Sequence, residues 1–168
     1  MYHKLLVPVD GSPTATRGLD EAIRVARLSG GTIRVFHVLD QHFAPGLEFC
    51  SAEVLTVLRQ AGADIVGPAK ARVEASGVPV EAQVAETSSG TVADTVVDQA
   101  RQWGADLIVI GTHGRRGVRR LMIGSDAERI VRMASVPVLL VRDEPVATAH
   151  HLSLPHMATL PVGMVALE

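Results

Sequence analysis

The sequence predicts an α/β domain built from parallel βαβ units, and three observations carry that reading. Five short runs with strand character (4–10, 32–39, 78–86, 106–110 and 136–141) alternate with four segments of helical periodicity. Most of these runs are continuously apolar, as expected of strands covered on both faces of a sheet. The fourth run leads into a glycine-punctuated, arginine-rich loop that ends where a helix begins. Strands joined by helices in this order take right-handed crossovers.

Composition narrows the function classes. The 168 residues are 47% hydrophobic and 20% charged, which fits one globular domain with a sizeable core. A net charge of −2 gives no general basic footprint for nucleic acid, since the arginines are concentrated locally. Cys50 is the single cysteine, so an intramolecular disulfide or a four-cysteine zinc site is excluded; its plainest role is as a small apolar side chain. Tyr2-His3-Lys4 leads straight into a strand, and no apolar run approaches the ~20 residues of a membrane span. A cytoplasmic protein without a membrane partner is expected.

In chain order, Lys4 to Asp10 is the first strand. Pro8 is tolerable in a central strand only if the ladder stops there and the chain turns toward a crevice. Asp10-Gly11-Ser12 is turn chemistry, so Asp10 is either a turn former or a functional carboxylate at the strand's end. Ser12-Pro13 supplies an N-cap and a proline at the first helical position. Ala15, Leu19, Ala22, Ile23 and Ala26 then form an apolar stripe that ends at Gly30-Gly31. His37, flanked by apolar residues on the second strand, reads as a satisfied structural histidine.

After a loop at 40–47, residues 48–76 are helical in pattern, with Pro68 expected to kink the helix or split it near Gly67. Val78 to Glu86 alternates like an edge strand, and Ser88-Ser89-Gly90 is expected to cap a third helix facing inward through Val92, Val96, Val97 and Ala100. Gly104 stops that helix. Val136 to Val141 is the fifth strand, with Pro137 fitting an edge position. Residues 143–168 stand apart as an extension. His150, His151 and His156 lack zinc-site spacing there, and the apolar segment 159–167 is expected to pack on this subunit or a partner.

The stretch from Gly111 to Ser125 carries the chemistry. Strand, glycine loop and helix N-terminus make an anion site, because glycines admit phosphate oxygens close to backbone N–H groups and a helix start favours negative charge. Arg115, Arg116, Arg119 and Arg120 add positive charge to the loop. Ser125 and Glu128 read as an S-x-x-E capping box. No G-K-[ST] occurs, so this is not a P-loop. A response-regulator receiver would need more than the one carboxylate at the end of strand one. A dinucleotide fingerprint would need more glycine after strand one than Gly11.

The spacing Gly-x2-Gly-x9-Gly-Ser at Gly111, Gly114, Gly124 and Ser125 resembles the nucleotide loop of the universal stress protein family. The resemblance covers about residues 2–142, so the domain is taken as 1–142 with 143–168 outside it. It implies a doubly wound five-stranded parallel sheet of order 3-2-1-4-5, helices on both faces, and ATP as ligand, with Mg²⁺ as a possible companion. It further implies that Val9 and Asp10 meet adenine or ribose, and that Val38 offers backbone contacts to adenine. Gly111, Gly114, Gly124 and Ser125 would hold ribose and phosphates, with Arg115 beside the phosphates. His113 is either a phosphate neighbour or a solvent-exposed loop residue. Asp126 would repel phosphate and is expected to turn away. Homodimers through the fifth strand are also implied.

Three functions follow as expectations: a nucleotide-dependent regulatory or sensor module, a nucleotide-independent interaction module, or a slow ATP hydrolase. Against turnover stands the lack of a Mg²⁺-ligand cluster, Walker lysine or arranged general base in the sequence.

Overall fold

A computed structural model describes residues 1–40, 52–87, 90–112 and 123–142. Its elements run β1 (Lys4–Pro8), α1 (Pro13–Ser29), β2 (Thr32–Leu39), α2 (Ala52–Ala75), β3 (Val80–Glu86), α3 (Val92–Trp103), β4 (Leu107–Gly111), α4 (Ser125–Met133) and β5 (Val138–Val141). The five strands form one sheet in the order β3-β2-β1-β4-β5, and every adjacent pair is parallel.

Alternation along β1 sends Leu5 and Val7 to one face and Leu6 to the other. The first pair joins Leu19, Ala22, Ile33, Val35, Val66 and Val73 in a core beneath α1 and α2. Leu6 joins Phe36, Val96, Val97, Ile108 and Ile130 beneath α3 and α4. The sheet is therefore wound on both faces, as the apolar runs required. Its N-terminal edge is closed by local contacts: Asp106 accepts the backbone N–H groups of His3 and Lys4, and Arg34 stacks 4.4 Å from the Trp103 ring centre. The opposite, C-terminal edge is where the chain leaves room.

Several boundaries differ from the sequence reading. α2 does not split at Gly67; it runs unbroken through Pro68. Val66 and Val73 lie one on each side of the proline and are both buried in the same core, so packing holds the two halves together despite one lost backbone bond. β5 begins at Val138, because Pro137 lends its carbonyl to the Ile108 N–H at 3.0 Å but has no donor of its own. β1 stops at Pro8 and β3 starts at Val80.

The cap of α3 also moves. Ser88 and Ser89 lie outside the described residues, and the capping residue is Thr91. Its side chain accepts the Asp94 N–H while the Asp94 carboxylate accepts the Thr91 N–H at 2.8 Å, a reciprocal box. Those bonds, the backbone one foremost and then the Thr91 hydroxyl, hold the Asp94 carboxyl below its ordinary range, with Arg129 assisting.

Thr91→Ala is expected to cost about 1 kcal/mol in urea denaturation. Because the Asp94 carboxyl is lowered in the folded state, its contribution is complete above the ordinary carboxylate range and is lost as pH falls through the lowered value. The stability gap between wild type and Asp94→Asn should accordingly be open at neutral pH and close in acid. A gap that widens in acid would overturn the capping role.

Candidate functional site

The sheet order reverses between β1 and β4, and a doubly wound sheet opens its crevice at such a point, beyond the strands' carboxyl ends. Here the opening has an identifiable local cause. The Val9 N–H donates to the Phe36 carbonyl at 2.8 Å, so the polar backbone of Val9 faces β2. By strand alternation that of Pro8 faces β4, and proline has no N–H to carry that ladder forward. The β1–β4 register accordingly spans only Leu5↔Leu107 and Leu6↔Ile108. The sequence condition for a proline in a central strand is met: the pairing stops and the chain turns away.

Asp10 sits half-buried at that turn, and its Oδ1 accepts the Ser12 N–H at 2.9 Å. Its turn-forming role is thus real, and it also places a carboxylate at the crevice. Ser12 in turn caps α1 by accepting the Ala15 N–H at 3.1 Å, with Pro13 at the helix start. Val9 and Val38 are both buried, at the ends of neighbouring strands.

Gly111 is the last residue of β4 and pairs with Val141. A Cβ placed there would lie 2.7 Å from the Thr14 carbonyl oxygen, and one on Gly18 would lie 3.3 Å from the Gly111 nitrogen. The first turns of α1 therefore rest directly on the end of β4, and that contact alone demands glycine at 111. Sequence reasoning missed this. The available signal was Gly18, an isolated glycine within an otherwise good helix.

The loop itself is anchored at both ends. Thr112 donates its N–H to Val141 at 2.9 Å and accepts the Gly124 N–H at 2.8 Å, so the chain departs and returns at one place. His113, Gly114, Arg115, Arg116, Arg119 and Arg120 lie outside the described residues. At the return, the expected capping box is corrected. Gly124, not Ser125, is the N-cap of α4, and as a glycine it brings no side-chain oxygen to the first turn. Ser125 is already the first helical residue, one position too far along for its hydroxyl to act as the cap. A helix start whose N-cap is glycine takes its first-turn acceptors from elsewhere than the cap residue. Asp126 is exposed in that first turn.

Buried His37 behaves as the structural reading expected: its Nδ1 lies 2.6 Å from the Val9 carbonyl oxygen. Among the described residues, no group of three or more His, Cys, Asp or Glu is placed to hold a metal ion. The tail histidines lie outside the described residues, as does Cys50. Among the described residues, no helix is long and apolar enough to cross a membrane.

The model of the Universal stress protein family matches residues 1–142. The chain belongs to that family. Universal stress protein MJ0531 of Methanocaldococcus jannaschii is 31% identical over 144 residues, covering 84% of this chain and 83% of the relative. Among solved structures, the hypothetical protein MJ0577 superposes with a TM-score of 0.77 at 26% identity, covering 86% of this chain and 99% of that one. The universal stress protein from Archaeoglobus fulgidus, solved in complex with dAMP, gives a TM-score of 0.62 at 26% identity over 83% of this chain and 98% of its own.

The Gly111 contact can be separated from any ligand. Gly111→Ala should lower stability by about 1–3 kcal/mol in nucleotide-free denaturation, because the Thr14 carbonyl must move. An unchanged unfolding midpoint would show that α1 does not need this glycine.

Proposed function

We propose that the chain is a cytoplasmic ATP-binding regulatory or sensor module. The carrying observation is the start of α4, whose N-cap is a glycine with no side chain to offer the first turn, set where a loop anchored by Thr112 and Gly124 returns beside the β1–β4 parting. The dAMP complex of the related Archaeoglobus fulgidus protein supports an adenine nucleotide as the ligand class.

In this reading Val9, Asp10 and Val38 contact the adenine and ribose. Gly111, Gly114, Gly124 and Ser125 line the ribose and phosphates, with Arg115 and His113 alongside. Ser125 offers its N–H and hydroxyl, whereas the Gly124 N–H is held by the Thr112 carbonyl and Gly124 contributes close approach rather than a donor. Losing the cap role leaves the Ser125 hydroxyl available to a phosphate oxygen. Mg²⁺, if it accompanies ATP, would be held chiefly by the phosphates. A partner senses the nucleotide-bound state; turnover is not the purpose. Dimerisation through the β5 edge (136–141) belongs to the same proposal, since an edge strand needs cover.

Calorimetric titration of nucleotide-free protein with ATP tests it. Saturable binding is expected in the wild type, weakened at least about tenfold in a Gly114→Ala, Gly124→Ala double variant, because a Cβ at each position holds phosphate oxygens away from the backbone and costs at least one hydrogen bond. A wild type that binds no adenine nucleotide overturns the reading.

A further inference from the structure

In a parallel ladder, the Val9 N–H bond to Phe36 should be followed by a Val38 N–H bond to the Val9 carbonyl. That rung is missing. The β1–β2 register ends at Pro8↔Phe36, and among the described residues no bond joins the Val38 N–H to Val9. The Val9 carbonyl is met instead by the His37 side chain, 2.6 Å away through Nδ1. Since a carbonyl oxygen only accepts, that ring nitrogen is the protonated donor.

The direction of the Val38 backbone follows from its neighbours on β2. Thr32 donates its N–H to His3, and Phe36 accepts from Val9, so the even-numbered residues point their polar groups toward β1. Ile33 donates to Pro79 and Leu39 accepts from Thr87, so the odd-numbered ones point toward β3. The N–H and C=O of Val38 consequently face the notch that β1 vacates at Asp10. The His37 ring is held in its position by α2, which passes close because residue 62 is glycine: a Cβ there would lie 3.4 Å from His37 Cδ2, and 3.0 Å from Val84 Cγ1.

We propose that His37 is a positioning residue: by satisfying the Val9 carbonyl from its side chain, it keeps the backbone N–H and C=O of Val38 available to a ligand. A buried carbonyl left without a partner is costly, so an apolar residue at 37 would draw the Val38 N–H into the ladder and close the notch by one rung. The ligand class is a planar group presenting adjacent acceptor and donor atoms, as the amino-pyrimidine edge of adenine does. To that extent the inference rests on the nucleotide reading above.

The test uses ¹⁵N-labelled full-length protein as wild type, His37→Leu and His37→Asn, whose amide nitrogen takes the place of Nδ1. Without nucleotide, the Val38 amide should exchange with solvent about tenfold faster in the wild type than in His37→Leu, the effect of one hydrogen bond. ATP affinity should fall about tenfold in His37→Leu and recover in His37→Asn, a rescue that general loss of packing would not give. The ¹⁵N shifts of His37 in the wild type should report the Nδ1–H tautomer, a readout independent of whether the leucine variant folds. Equal Val38 exchange in wild type and His37→Leu, or an Nε2–H tautomer, overturns the inference. The expected exchange contrast in a wild type that binds no ATP supports the His37 role and overturns the nucleotide reading alone.

Discussion

The central strand of this sheet has to stop pairing on both sides within two residues, and the rest of the candidate site depends on that constraint. β1 is flanked by β2 and β4, so without an interruption its ladder would run on and seal the edge. Pro8 ends the pairing toward β4 by lacking an N–H. The His37 ring ends it toward β2 by occupying the carbonyl that the next rung needs. Asp10 then turns the chain into α1. The crevice is therefore a product of hydrogen-bond arithmetic at three consecutive residues, rather than of sheet order alone.

Around that opening, close backbone packing fixes the positions of the parts. α1 rests on the end of β4 through Gly18 and Gly111, and α2 rests on β2 through Gly62. Both contacts lie near the C-terminal edge, where the first core cluster gives way to the site. Thr112 ties the loop's exit to β5 and its return to Gly124, so the start of α4 is registered to the sheet by two backbone bonds. The start of α4 is thereby held in place relative to the sheet, with a glycine at its N-cap.

Much of this was legible beforehand. The element alternation, the stripe of α1, the Ser12-Pro13 start and the parallel order implied by the family resemblance all stand in the structure. The misreadings cluster at helix ends and glycines. Ser125 with Glu128 matches a capping box in spacing, yet the backbone enters α4 one residue earlier. Thr91 with Asp94 is a working box that the preceding serines obscured. Pro68 looked like a breaker because its local cost is plain, while the burial of Val66 and Val73 that offsets it is not local.

The sequence by itself determined which segments are strands and helices and which faces turn inward, because periodicity and turn chemistry act over a few neighbouring residues. It also raised the expectation of an anion-binding loop after the fourth strand. Only the tertiary structure decided why residue 111 must be glycine and why residues 18 and 62 sit in tight contacts, which residue caps α4, and which donor reaches the Val9 carbonyl. Each of those depends on how closely two distant stretches of backbone approach. That distance is set by the packing of the whole sheet and its helices, and no window of sequence contains it.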